Sequence, residues 1–106
     1  MIIIIYLSDI EETKHLHPQP QFITLKVKSF AILREIMGKE QITLQLPRKD
    51  EGTTVADLRV RILELYPAIS AQRIVMAIAV NTKIANDKSI INDFDEIALL
   101  PPISGG

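Results

Sequence analysis

The sequence contains no cysteine, which excludes a disulfide framework, a thiolate zinc site and a cysteine nucleophile within the chain. Only two histidines are present, so an all-protein transition-metal site is poorly provided for and no metal is expected. Aromatic residues make up 5% of the 106 residues, whereas isoleucine is frequent. We therefore expect an aliphatic, β-branched core, a composition that favours β-strands.

The chain is nearly neutral, with 12 Lys and Arg, 13 Asp and Glu, and a formal net charge of −1. A nucleic-acid-binding surface needs a basic field, so no nucleic-acid partner is expected. Met1–Leu7, a fully apolar run as long as any in the chain, is far shorter than the roughly 20 residues that cross a bilayer. It also lacks the basic leader and small-residue cleavage pattern of a signal peptide. The sequence thus predicts no membrane partner and a cytoplasmic location.

Composition divides the chain into three parts. Residues 1–20 are predicted to be an N-terminal extension, in which a short strand is followed by a linker that ends at Pro18 and Pro20. Residues 21–100 carry regular apolar patterns and are predicted to form one domain. Residues 101–106 are predicted to be an exposed tail.

Within the domain, the apolar spacing predicts an α+β fold. Alternating or continuous apolar residues predict strands near 23–27, 42–46, 75–80 and 95–100, the third of them central. A short helix is predicted after the first strand, over 29–37, with Gly38 as its C-cap. A longer amphipathic helix is predicted to start at Thr54 or Thr53 and to bury Leu58. One such helix laid across one face of a mixed sheet is the economical architecture for this length.

The tail has the properties of a substrate arm. It leaves a predicted strand through two prolines, which cannot rejoin a sheet and favour extended backbone. Two terminal glycines follow, and a chain end without side chains can enter a narrow slot and present a bare carboxylate. Another protein would then perform chemistry on Gly106. The residues expected to thread the slot are Pro101, Pro102, Ile103, Ser104 and Gly105.

Four segments together carry a resemblance to a known family. They are Asp95–Gly106 at the end, the Phe-Ala, Arg-Glu and Gly pattern of 30–38, the helix start Thr54–Leu58, and Ala79–Asn81. In this order, and closing with Pro-Pro-x-x-Gly-Gly, the sequence resembles the MoaD family, the small sulfur-carrier subunit of molybdopterin synthase. The similarity runs from about Phe22 to Gly106.

The resemblance implies a β-grasp, ubiquitin-like fold and a role as sulfur carrier. An E1-like enzyme of the MoeB or ThiF type would use ATP to adenylate the carboxylate of Gly106, which sulfur would then convert to a thiocarboxylate. The tail would enter a MoaE-like large subunit and donate this sulfur to a pyranopterin precursor. The chain would thus be a non-catalytic small subunit that binds no cofactor itself, the ATP being held by its partner.

The resemblance also implies a partner interface, at Phe30, Leu99 and Leu100, which match apolar positions that face the partner in the family. Core packing is the alternative interpretation for each of them. Near the tail, the acidic residues Asp93, Asp95 and Glu96 fit either a solvated turn or an acidic rim that steers a basic partner.

Three other functions remain open at this point. A ubiquitin-like modifier would use the same tail to form isopeptide bonds with lysines of target proteins. A thiamine-pathway sulfur carrier follows the same logic but usually lacks the two prolines, so Pro101 and Pro102 favour the molybdopterin pathway. A β-grasp interaction domain without terminal chemistry is the fourth possibility. The sequence decides neither the role of residues 1–20, nor the free oligomeric state, nor between molybdenum and tungsten as the final metal.

Overall fold

The computed structural model describes residues 21–101 of the chain. The predicted N-terminal extension and the tail beyond Pro101 lie outside the described residues. The strands are β1 (Phe22–Ser29), β2 (Gln41–Pro47), β3 (Thr53–Thr54), β4 (Ala77–Val80), β5 (Lys83–Ala85), β6 (Ile90–Ile91) and β7 (Glu96–Leu100). The helices are α1 (Ala31–Met37), α2 (Val55–Leu65) and α3 (Ala68–Ala71).

Five of these strands form one mixed sheet in the order β2-β1-β7-β4-β5. Strands β1 and β7 run parallel, whereas the other neighbouring pairs are antiparallel. The short strands β3 and β6 form a separate antiparallel pair. A mixed sheet whose first and last strands are parallel neighbours is the β-grasp arrangement, so the predicted α+β fold is confirmed.

Helix α2 covers one face of the sheet, and its predicted apolar side is the buried one. Val55, Leu58 and Ile62 have no exposed surface. They belong to one aliphatic core with the inward residues of the strands, among them Leu25 and Ile97. All three helices contribute buried residues to this core, so within residues 21–101 none of them covers the opposite face of the sheet.

The ends of both predicted helices have the expected local chemistry. Gly38 follows α1 with a left-handed φ of 76°, and its N–H donates to the carbonyl of Arg34 at 2.8 Å. Thr54 caps α2 in a reciprocal capping box, in which the Asp57 N–H donates to the Thr54 hydroxyl and the Thr54 N–H donates to the Asp57 carboxylate.

The Asp57 carboxylate also accepts a hydrogen bond from Lys49 Nζ at 2.6 Å. This bond, together with the bond from the Thr54 N–H, favours the ionised form and holds the pKa of Asp57 below its usual value of 3.8. Because its pKa is lowered in the folded protein, the Asp57 carboxylate stabilises the fold at pH values above its usual pKa. The contribution is lost as the pH falls through the lowered pKa.

Replacement of the cap tests how much the capping box contributes. Thr54→Ala should lower the free energy of unfolding by about 0.5–2 kcal/mol, because it leaves the Asp57 N–H without its intramolecular acceptor. Denaturant melts measure this difference. Thr54→Ser retains the hydroxyl and should stay close to the unsubstituted protein. Equal stability of the alanine variant would show that the box contributes nothing.

Several short elements were not predicted. Strands β3, β5 and β6 have two or three residues each, too few for an alternating pattern to stand out. The predicted strand at 75–80 starts too early, because β4 begins at Ala77 and Val75 is 72% exposed. Strand β4 lies inside the sheet as predicted, but β7 is its middle strand. Helix α3, whose N-cap is Pro67, was not predicted either.

Candidate functional site

The root of the C-terminal tail lies at the end of the middle strand of the sheet. Strand β7 pairs in parallel with β1, where Leu99 is opposite Ser29, and antiparallel with β4, where Leu100 is opposite Ala77. Because β1 and β7 are parallel, both finish at the same end of the sheet. The chain therefore leaves at Pro101 from a strand that is held on both sides.

The beginning of β7 is fixed by polar side chains in the preceding turns. Asn81 Nδ2 donates to Asp95 Oδ1, and the Glu96 N–H donates to Asn81 Oδ1, each at 2.9 Å. Asp95 Oδ2 accepts from the Asn92 N–H at 2.8 Å, and Asp93 accepts from the Thr24 N–H at 2.7 Å. Asp93 and Asp95 thus serve the turn before β7 and set the strand in register, at the end of β7 opposite the tail, so they form no acidic rim around the tail.

Phe30, the first predicted interface residue, directly follows β1 and is 45% exposed. It precedes α1 in an extended conformation and contributes no side-chain hydrogen bond as N-cap. Leu100 is half-buried and lies on the face of the sheet opposite α2. Continuing the β1–β7 register by one residue from the Ser29–Leu99 pair brings Phe30 level with Leu100.

Leu99, the remaining predicted interface residue, is not available to a partner in this structure. Its side chain has no exposed surface and belongs to the core. Successive residues of a strand point to opposite faces, so Leu99 points towards α2 whereas Ala98 and Leu100 point away. For Leu99, core packing is the correct interpretation.

The pairing of the strands adds apolar residues that the sequence analysis did not single out. Ala98 is opposite Ala79, which in turn is opposite Ile84, a residue that is 67% exposed. Ala77 and Ile84 continue the apolar surface of Leu100 across β4 and β5, whereas Ala79 between them is buried. We call this surface the open-face patch and define it by Phe30, Ala77, Ala79, Ile84, Ala98 and Leu100. Alternation from Leu100 could have identified Ala98, but the other members depend on strand pairing.

Basic residues border the open-face patch on the side of β1. Lys28 is opposite Ala98, and Lys26 is opposite Glu96, so both lysines occupy the same face of the sheet. Beyond them, a groove of about 330 Å³ is lined by Phe30, Arg34 and Glu40, among others. The tail root therefore combines an apolar centre with a mixed, mostly basic border.

The part of the chain that the structure describes contains neither a metal-binding cluster nor a membrane-spanning helix. Across residues 21–101, His, Asp and Glu form no group of three or more that could hold a metal ion. In the same range, no helix has the length and hydrophobicity needed to cross a membrane.

The topology and the tail position define a ubiquitin-like β-grasp protein with a C-terminal arm. The model of the ThiS family matches residues 27–106. The molybdopterin synthase sulfur carrier subunit of Dictyostelium discoideum is 42% identical over 83 residues, which are 76% of this chain and 94% of that protein. Its Arabidopsis thaliana counterpart is 32% identical over 98 residues, covering 92% and 99%. The chain belongs to the ThiS family, and the resemblance to MoaD sulfur carriers is confirmed.

Solved structures agree with this assignment. A putative molybdopterin converting factor subunit 1 from Pyrococcus furiosus is 26% identical, with a TM-score of 0.66 over 76% of this chain and 99% of that one. Small archaeal modifier protein 1 from Methanosarcina acetivorans is 27% identical, with a TM-score of 0.65 over 82% and 100%. A complex of subunits 1 and 2 of molybdopterin-converting factor from Helicobacter pylori matches at 26% identity and a TM-score of 0.55, over 79% and 100%.

Proposed function

We propose that this chain is the sulfur carrier subunit of a molybdopterin synthase and acts in the cytoplasm. The observation that carries the proposal is the origin of the Gly-Gly tail. It leaves the middle strand of the sheet at Pro101, beside the open-face patch. Curated relatives that align with most of this chain are named molybdopterin synthase sulfur carrier subunits. The chain itself contributes a scaffold and a reactive terminus rather than catalytic side chains.

The chemistry begins at the carboxylate of Gly106. A carboxylate is a poor electrophile, so an E1-like partner with ATP would first form an acyl-adenylate and release pyrophosphate. A hydrosulfide equivalent then attacks the acyl carbon, the C–S bond forms, and AMP leaves with the C–O bond electrons. The product is a thiocarboxylate, whose sulfur is a good nucleophile. Sulfur donation to the pterin precursor, with oxygen from water in exchange, regenerates the carboxylate.

Delivery of this sulfur requires a large subunit that accepts the tail. The complex of two molybdopterin-converting factor subunits from Helicobacter pylori supports a partner of this kind. We propose that Phe30 and Leu100 contact that subunit, while residues 101–105 thread its active-site channel. A half-exposed phenylalanine beside a half-buried leucine is the kind of apolar surface that a partner covers.

The intact mass of the protein tests the carrier function directly. After incubation with its E1-like enzyme, ATP and a sulfur donor, the mass should rise by the difference between sulfur and oxygen. Reactions without ATP should leave the mass unchanged, because adenylation precedes sulfur transfer. An unchanged mass in the complete reaction would contradict the proposal, as would failure of the thiocarboxylate form to sulfurate the pterin precursor.

A ubiquitin-like modifier is the second candidate, and the similarity to small archaeal modifier protein 1 favours it. Both functions use the same activated Gly106, but they differ in the acceptor. Conjugation to lysines would produce a ladder of heavier species in cell extracts instead of a single small increase in mass. A ladder that disappears when Gly106 is deleted would establish this second function.

A further inference from the structure

Strand β2 is an edge of the sheet, and its outer side faces no other strand of residues 21–101. The other edge is β5, which has three residues and begins with Lys83. Strand β2 has seven residues, Gln-Ile-Thr-Leu-Gln-Leu-Pro, and none is charged. Proteins usually protect an edge of this length with charges, bulges or a covering segment, because it offers a template for another strand.

Two hydrogen bonds at the ends of the β1–β2 hairpin identify the backbone groups on this edge. The Ser29 N–H donates to the Glu40 carbonyl at 3.1 Å, and the Arg48 N–H donates to the Gln21 carbonyl at 2.9 Å. In an antiparallel ladder, hydrogen-bonded and non-bonded pairs alternate. Ile42, Leu44 and Leu46 therefore bond to β1. The N–H groups on the outer edge are those of Gln41, Thr43 and Gln45.

A partly apolar groove lies beside the same edge. It has a volume of about 400 Å³, and its walls combine the apolar residues Phe22, Leu46, Pro47 and Val60 with the polar residues Gln45, Lys49, Asp57, Arg61 and Glu64. Phe22 is 49% exposed and Val60 is 56% exposed, so both keep apolar surface in water. The side chains of a strand added to β2 would point alternately to the two faces of the sheet. The side chains on the face that α2 covers would lie over this groove.

We propose that Met1–Leu7 of this chain pairs with β2 as an additional edge strand and covers the groove. The segment, Met-Ile-Ile-Ile-Ile-Tyr-Leu, has the same length as β2, no charge and a β-branched composition. Main-chain hydrogen bonds to Thr43 and Gln45 would hold it, and alternate isoleucines would fill the groove. This inference does not depend on the sulfur-carrier function.

The position of Gln21 favours this segment over a second copy of the chain. Gln21 is bonded to Arg48, immediately after β2, so the extension joins the domain beside the edge that it would cover. Thirteen residues separate Leu7 from Gln21, and at about 3.3 Å each they reach roughly 40 Å. The required span is two strand spacings, about 10 Å, when the segment runs parallel to β2, and about 25 Å when it runs antiparallel, because Leu7 then lies at the far end of the strand. Tethering within this reach gives the segment a millimolar effective concentration at the edge of β2. A second copy of the chain would have to be more concentrated than that to compete for the same edge.

Amide hydrogen exchange in the labelled full-length protein tests the pairing. In the unsubstituted chain, the Thr43 and Gln45 amides should exchange at least tenfold more slowly than in at least one of the two variants Ile3→Pro and Ile4→Pro. Successive strand residues point their N–H groups in opposite directions, so one of the two prolines removes a donor to β2. The Val27 amide, inside the sheet, should be unchanged and reports that the domain remains folded.

Leu16→Pro is the matched control, because it places the same substitution in the extension but outside the pairing segment. It should preserve the slow exchange of Thr43 and Gln45. The proposal is overturned if these amides exchange freely in the unsubstituted protein, or if their protection survives both proline substitutions. Protection that falls on dilution, together with a dimer in light scattering, would assign the edge to a second copy instead.

Discussion

Deletion of Gly106 should abolish sulfur transfer while leaving the free energy of unfolding unchanged. The deletion moves the terminal carboxylate back along an extended chain by one residue, about 3.5 Å. Misplacement of a reacting group by about 1 Å already costs on the order of a hundredfold in rate. The free energy of unfolding should not change, because the aliphatic core formed within residues 21–101 ends with Leu99, before the tail begins. Pterin sulfuration and denaturant melts measure the two quantities.

Gly106→Ala is the appropriate control for this deletion, since it keeps the length of the tail and adds only one methyl group. If the tail must reach a fixed depth in its partner, this variant should retain more activity than the deletion. Normal pterin sulfuration by the truncated protein would contradict the carrier function. Loss of stability in the truncated protein would instead show that the tail packs on the domain.

The parts of the fold that the sequence predicted are those with a repeating apolar pattern. In β1, the apolar residues Ile23, Leu25 and Val27 alternate with polar ones. Helix α2 presents Val55, Leu58 and Ile62 at helical spacing. The capping residues Gly38 and Thr54 have local roles that neighbouring residues already determine. By contrast, β5 and the pair of β3 with β6 depend on contacts between distant segments. Their own residues show no apolar pattern that indicates a strand, so these strands were not predicted.

The candidate site divides in the same way. The tail and its strand were predictable because Pro101 follows directly on an apolar run. The parallel pairing of β1 with β7 belongs to the β-grasp fold that the family resemblance implied. Leu99 and Leu100 could not be distinguished by composition, since only the register of β7 decides which one faces the core. Ala79 and Ile84 join the open-face patch through pairing across three strands. Short alanine side chains carry little hydrophobic signal of their own.

The position of Leu100 on the exposed face leads to the second large expected effect. Leu100→Asp should weaken binding to the large subunit by at least about 3 kcal/mol, or more than a hundredfold, because a carboxylate would be buried there without a partner. Phe30→Ala should cost about 1–3 kcal/mol, as expected for an aromatic anchor. Titration calorimetry with the large subunit measures both.

Two control variants separate binding from folding. Phe94→Ala removes a phenylalanine that is 72% exposed, at the opposite end of β7 from the tail, and should bind normally. Leu99→Ala removes core packing and should lower the free energy of unfolding by about 2–5 kcal/mol, while the folded protein still binds. If Phe30→Ala and Leu100→Asp instead bind normally but unfold easily, both residues are structural. The partner would then have to recognise a surface away from the tail root, and the tail alone would position the sulfur.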